Sequence, residues 1–261
     1  MIPLSDENPT LRTPVVTYAL LITLGAVWVF VQGAGMNEYT LVSSICDLGL
    51  VPGEITGRAP VGMAVPLADG LACVVDRQAI NALTPLTSMF LHGGWLHLLA
   101  NALFLWVFGN NVEDSMGHVR FLLFYVICGL AAGAAEVALS PGSPIPVIGA
   151  SGAISGVMAA YLVLYPRARV NMLFFVFIVP LPAWLVILYW FGLQVLGVLP
   201  SLRGVEHEVS GGVAVMAHIG GFLAGLALVK IFENRELVHE RLEKARRVDR
   251  RQGPHVMWRR Q

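Results

Sequence analysis

Ile148-Gly149-Ala150-Ser151-Gly152-Ala153-Ile154-Ser155-Gly156-Val157-Met158-Ala159-Ala160-Tyr161-Leu162-Val163-Leu164-Tyr165 carries no charge and reads as one apolar helix with a hydroxyl at its mouth. A bilayer core is crossed by about 20 such residues in helical form. Gly152, Gly156 and Ala160 recur every fourth position, a stripe of small residues that lets a second helix backbone come close. Pro146 precedes the start and Ser151 falls in the first turn. Polar groups at membrane depth are rare, face the protein interior and mark function.

Five further apolar runs flank this one, at 14–34, 90–109, 119–139, 170–198 and 213–232. Only 13% of the 261 residues are charged and 56% are hydrophobic, against about 25% charged in a soluble domain; mean hydropathy is +0.69. The expected fold class is therefore an all-α polytopic membrane protein with six transmembrane helices. Its divisions are a cytoplasmic N-terminal segment (1–13), a six-helix membrane domain (14–232) and a basic cytoplasmic tail (233–261). The first run exceeds the roughly 7–15 apolar residues of a signal peptide and ends in no small-residue cleavage site, so it reads as the first span.

Net charge is zero, but ten of the 17 Lys and Arg lie from Lys230 onward. Arg167 and Arg169 follow the fourth run, whereas the long loop 35–89 has only Arg58 and Arg77 against five acids. Positive charge stays inside, which puts both termini in the cytoplasm. Such asymmetry is a topology signal and points to no nucleic-acid partner; the tail also suits anionic membrane lipids. No metal or nucleotide pattern occurs, so no cofactor is expected, and no pattern sets an oligomeric state. The loop 35–89 is too apolar for a linker and is expected to lie packed on the membrane surface. It holds Cys46 and Cys73, which pair if the loop faces an oxidising compartment and otherwise remain free thiols. Cys128, inside a span, reads as packing.

With this topology, Ser151, His218, His97 and Asn101 reach one outer depth, because the second, fourth and sixth runs all descend from outside to inside. Serine with histidine is the minimum pair for an activated nucleophile. His218, Gly221 and Gly225 share a helix face at i, i+3 and i+7. The glycines alone are equally ordinary helix packing, with Ser151 a satisfied small residue; the histidine on the same stripe favours a dyad. An oxyanion needs donors. His97 and Asn101, at i and i+4, and the Ser151 backbone N–H at a helix N-terminus meet that need. His92 reads as a loop anchor or as oxyanion support. No carboxylate is placed to orient His218: Glu206 and Glu208 fall in an outer loop, and Glu136 reads as a partner for loop N–H groups or water. Ser155 lies one turn deeper, but Ser151 alone has the helix start and the Gly149-Ala150-Ser151-Gly152 context, so Ser151 is the expected nucleophile.

Four stretches occur in order: His92-Gly93-Gly94-Trp95-Leu96-His97-Leu98-Leu99-Ala100-Asn101, Asn111-Val112-Glu113-Asp114-Ser115-Met116-Gly117-His118, Gly149-Ala150-Ser151-Gly152-Ala153-Ile154-Ser155-Gly156, and Ala217-His218-Ile219-Gly220-Gly221-Phe222-Leu223-Ala224-Gly225. In these the chain resembles the rhomboid family of intramembrane serine proteases. The resemblance implies a six-helix fold, Ser151 as nucleophile and His218 as base. It implies an oxyanion site of His97, Asn101 and the Ser151 N–H, and structural roles for Glu113 and Gly117. It implies transmembrane protein substrates, cut within or near their spans. The family associates its fifth span with substrate access; here Pro180 and Pro182 are expected to kink that span, structurally or as part of a gate. Many relatives carry an aromatic residue where Ser155 stands, packing on the histidine; here that position offers His218 no such support. The alternatives are a catalytically silent rhomboid-like chaperone or adaptor, which typically lacks the serine or the histidine, and a transporter, which wants charges along a path. The short N-terminus suggests a prokaryotic cell membrane.

Overall fold

The computed structural model describes residues 2–202, 215–241 and 243. Glu206, Glu208 and most of the basic tail lie outside them. Along the chain, β1 (Ile2–Asp6) precedes α1 (Val15–Ala26), whose path continues through a wider turn to Val31. The long loop contains α2 (Glu38–Leu48), α3 (Pro52–Thr56), the hairpin of β2 (Ala64–Ala68) with β3 (Leu71–Val74), and the single turn α4 (Thr84–Thr87). There follow α5 (Trp95–Met116), α6 (His118–Leu139), α7 (Ser151–Leu164), β4 (Arg169–Phe174), β5 (Phe177–Pro182), α8 (Ala183–Leu202) and α9 (Val215–Phe232).

Helix dominates because, in lipid, every backbone polar group must be satisfied within its own segment. Helices α6 and α9 are long and apolar enough to cross a bilayer unaided. A third crossing is reached if α5 is joined to the stretch Ala79–Phe90, from which it bends by 73°. Val15–Val31 and Ser151–Leu164 are shorter apolar helices, of 17 and 14 residues, than the runs 14–34 and 148–165 from which spans were expected.

The fifth span needs the largest correction. Residues 169–182 are a β-hairpin, not helix, and β4 lies between β1 and β5 in a three-stranded antiparallel sheet. Pro180 and Pro182 sit in β5, an edge strand, where a missing N–H costs no ladder bond. They end before α8 begins at Ala183, so they do not kink that helix. The sheet also draws the N-terminal segment into the fold, with Ile2 opposite Leu173 and Asp6 opposite Val170.

Helix α7 is the axis of the bundle, buried without a break from Gly152 to Tyr161. Glycine makes this possible. A Cβ at Gly152 would come 2.5 Å from the Ala132 Cβ on α6, and one at Gly156 2.6 Å from the Cys128 Cβ. On α9, a Cβ at Gly221 would strike the Gly152 carbonyl oxygen, and one at Gly225 the Gly156 backbone. Close backbone approach replaces the hydrophobic drive that lipid cannot supply between helices.

The long loop is covalently closed: Cys46 and Cys73 form a disulfide across 27 residues. Backbone bonds between Leu50 and Val147 and from Gly53 N to the Ser143 carbonyl (2.8 Å) tie it to the α6–α7 connection. A thiol-reactive maleimide should label neither loop cysteine until a reductant is added. Reduction should cost the loop about 3 kcal/mol, read as a lowered Tm; equal labelling before and after would rule the bridge out.

At the end of the bundle opposite Ser151, polar groups bind the termini. Glu113 accepts from Val16 N (2.9 Å), Thr17 N (2.7 Å) and the Thr17 hydroxyl (2.7 Å), satisfying the free N–H groups at the start of α1. Gly117, at φ +80°, makes the turn between α5 and α6 that few other residues adopt. Asp114 accepts from Leu11 N (2.9 Å) and pairs with the buried Arg241, which also donates to Tyr165 (2.6 Å) and Asn8 (2.8 Å).

Asp6 accepts from Asn111 (2.7 Å) and from the Tyr161 hydroxyl. Burial raises its carboxyl from 3.8 to about 6, with the Tyr161 bond and Arg241 acting in the opposite sense. The folded chain therefore holds this proton more tightly than the unfolded chain. The stability it contributes is complete below about pH 4 and is lost as pH rises through 6. The stability of wild type relative to Asp6→Asn should fall between pH 4 and pH 8 by up to about 3 kcal/mol. Thermal melts of the two proteins across that range check this; a constant difference would contradict it.

Candidate active site

Ser151 is the first residue of α7, preceded by Gly149 at φ +121°. The left-handed backbone turns the chain sharply into the helix, while Gly149 N donates to the Ser88 carbonyl (2.9 Å). The Ser151 hydroxyl thus stands at a helix N-terminus, among N–H groups without helical partners. His218, in the first turn of α9, is 8% exposed, and its Nε2 lies 2.6 Å from the Ser151 Oγ. Residues 67 positions apart meet because the α7 and α9 backbones touch through Gly152 and Gly221.

His97 faces the same spot from the start of α5. Gly93 N donates to its Nδ1 (3.3 Å), which leaves the proton on Nε2. That Nε2 is aimed at Gly149, where an added Cβ would lie 2.8 Å away. A methyl group there would occupy the space between His97 and the serine loop. Asn101 is buried on the same face, but its amide donates to the His97 carbonyl (2.9 Å). Its second N–H is the one left for a ligand.

His92 anchors its loop through its backbone rather than its ring. Its N–H donates to the Gln32 Oε1 and its carbonyl accepts from the Gln32 Nε2, both at 2.8 Å. The fully buried ring packs edge-on to His97, centroids 5.1 Å apart. Glu136 accepts from Ala217 N (3.2 Å), capping the turn that carries His218 without touching its ring. Ser155 donates to the Ser151 carbonyl (2.6 Å), so its hydroxyl is committed to the helix backbone.

Three contributors were not evident from sequence. Gln32 was hidden at the end of the first apolar run. Trp190 and Gln194 lie in α8: the Trp190 ring is 5.6 Å from the His218 ring, and Gln194 Oε1 is 2.8 Å from His218 Nδ1. Their spacing of four, one face of a helix, was the available signal. They supply the support that Ser155, lacking a ring, cannot.

Such an arrangement can do acyl-transfer chemistry. With the His218 hydrogen on Nδ1, the Ser151 O–H can donate to the bare Nε2, and His97 and the Ser151 backbone N–H at the helix start are the nearby donors such chemistry could use.

The model of the Rhomboid domain matches residues 81–235. Among curated proteins, the chain is 44% identical over 77 residues to Rhomboid protease GluP of Bacillus subtilis, covering 30% of this chain and 15% of that protein. It is 31% identical over 150 residues to RHOMBOID-like protein 6, mitochondrial, of Arabidopsis thaliana, covering 55% of this chain and 41% of the other. It is 31% identical over 143 residues to Rhomboid protein 1, mitochondrial, of Saccharomyces cerevisiae, covering 53% and 38%. The matched region spans less than half the length of each of these relatives.

Proposed function

The chain belongs to the rhomboid family, and from that membership we propose that it is an intramembrane serine endopeptidase cutting transmembrane protein substrates within or near their spans. The observation that carries this reading is the 2.6 Å approach of the Ser151 Oγ to the His218 Nε2. In the proposed reaction His218 takes the hydroxyl proton as Oγ attacks the scissile carbonyl carbon. The carbonyl electron pair moves to oxygen, where the Ser151 N–H, the His97 Nε2–H and the free Asn101 N–H stabilise it. His218 then returns the proton to the leaving amine, and water releases the acyl group by the same path.

The six apolar helices α1, α5, α6, α7, α8 and α9 are taken as the spans. At 14 residues, α7 is only about 21 Å long, shorter than the ~30 Å hydrocarbon core. Its N-terminus, with Ser151, would therefore lie below the outer membrane surface. The Lys/Arg-rich end faces the cytoplasm, and the closed Cys46–Cys73 loop faces the other, oxidising side. The charge pattern sets the orientation only; a prokaryotic cell membrane remains the proposed location, and the names of the relatives also include mitochondrial and chloroplastic proteins.

The test is cleavage of a single-span model substrate by the purified full chain in detergent, together with labelling by a fluorophosphonate. Turnover and modification at Ser151 are the expected results. Binding of substrate without cleavage or labelling would favour a silent adaptor instead.

A further inference from the structure

We propose that Gln194 is a positioning residue for the Ser151–His218 pair, its side-chain carbonyl holding the His218 ring by the Nδ1 proton. The inference rests on the protease reading above. The imidazole of α9 is gripped from both sides: Nε2 is 2.6 Å from the Ser151 Oγ of α7, and Nδ1 is 2.8 Å from the Gln194 Oε1 of α8. For Nε2 to accept the serine proton it must be bare, so a neutral ring must carry its hydrogen on Nδ1. That N–H is buried with the ring, and a buried donor needs an acceptor. Gln194 supplies one, and the hydrogen on Nδ1 decides which end of its amide faces the ring.

The same face of α8 contributes the Trp190 ring one turn earlier, 5.6 Å from the imidazole. One helix therefore sets both the tilt and the tautomer of His218. Among the described residues no carboxylate hydrogen-bonds the ring. The choice of an amide follows from place: a charge at membrane depth is costly, whereas a neutral carbonyl orients the ring at much lower desolvation cost. During the reaction the proton moves from Oγ to Nε2 as Oγ bonds to the substrate carbon. The imidazolium so formed keeps its Nδ1–H on the amide oxygen, whose partial negative charge favours it, until Nε2–H is given to the leaving amine.

The experiment compares Gln194→Leu with Gln194→Glu in the purified full chain. Removing the acceptor should lower kcat 10- to 100-fold with KM within about twofold, and should slow fluorophosphonate labelling in proportion. Glu restores an acceptor of the same length and should recover most of the rate; Leu has similar size but none. Equal rates in the two variants, or a loss confined to KM or Tm, would overturn the proposal. A second readout is independent of turnover: ¹⁵N NMR of histidine-labelled protein, with His218 assigned from His218→Ala. Wild type should show the Nδ1–H tautomer at His218, and Gln194→Leu a mixture of tautomers. An Nε2–H ring in wild type would overturn the inference even if substrate is cleaved. An Nδ1–H ring fixed by Gln194 in a protein that cleaves nothing would support the positioning and place the failure with the protease reading.

Discussion

Ser151→Ala and His218→Ala should each lower kcat/KM on a single-span substrate by about 10³- to 10⁵-fold, with the melting temperature nearly unchanged. The cause is local. In the proposed reaction the alanine at 151 removes the attacking oxygen, and the alanine at 218 removes the base that lies 2.6 Å from it. The two groups act as a unit, so the double variant should be no slower than either single one. Ser155→Ala is the control. Its hydroxyl is committed to the Ser151 carbonyl, so its loss should alter cleavage less than tenfold by relaxing the first turn of α7. Residual cleavage in Ser151→Ala combined with none in Ser155→Ala would move the nucleophile one turn deeper and sink the mechanism.

Gly221→Ala should be nearly as damaging by a different route. The added Cβ meets the Gly152 carbonyl and its flanking backbone, and no side chain can rotate away to make room. Overpacking of this kind costs about 1–3 kcal/mol or more. The relief available is separation of α9 from α7, which carries His218 away from Ser151. A misplacement of about 1 Å at reacting groups is worth about 10²-fold in rate. Gly225→Ala, which meets the Gly156 backbone one turn below, should lower the melting temperature similarly while disturbing the site less. Gly25→Ala in α1, where a Cβ meets nothing within 4 Å, should leave cleavage intact and stabilise by up to about 1 kcal/mol. If Gly221→Ala behaved like Gly25→Ala, the close contact of α7 and α9 would not be what sets the site.

The glycine positions connect what could be read in advance to what could not. The stripe Gly152, Gly156, Ala160 and the face His218, Gly221, Gly225 are periodic within single helices, so their role in a close crossing was legible from spacing. Ser151 adjoins Gly152 and His218 lies one turn before Gly221, at the same end of the crossing, and the two side chains meet there. The clamp by Glu113 and the turn at Gly117 lay inside a contiguous motif. The hairpin at 169–182 was misread because Arg169–Pro182 is as apolar as a span, and a short apolar run does not distinguish strand from helix. Pro180 and Pro182 were the available warning. Two prolines suit a kink within a helix as well as an edge strand, and here the strand accommodates them before the helix begins. The Cys46–Cys73 bridge was one of two open readings, because pairing depends on how α2 and the β2–β3 hairpin fold back on each other.

By itself the amino-acid order determined the membrane class and the direction of the charge asymmetry through composition, the family through four motifs in order, and the candidacy of Ser151, His218, His97 and Asn101 through those motifs and their matching depths. Only the tertiary structure decided which neighbours complete that constellation. Gln194 and Trp190 reach His218 from another helix, Gln32 holds the His92 backbone from 60 residues away, and β1 pairs with β4 across most of the chain. The physical reason is that helical periodicity encodes which face of an element is buried, whereas the partner met by that face is fixed by how the backbones pack, at distances along the chain that leave no local trace.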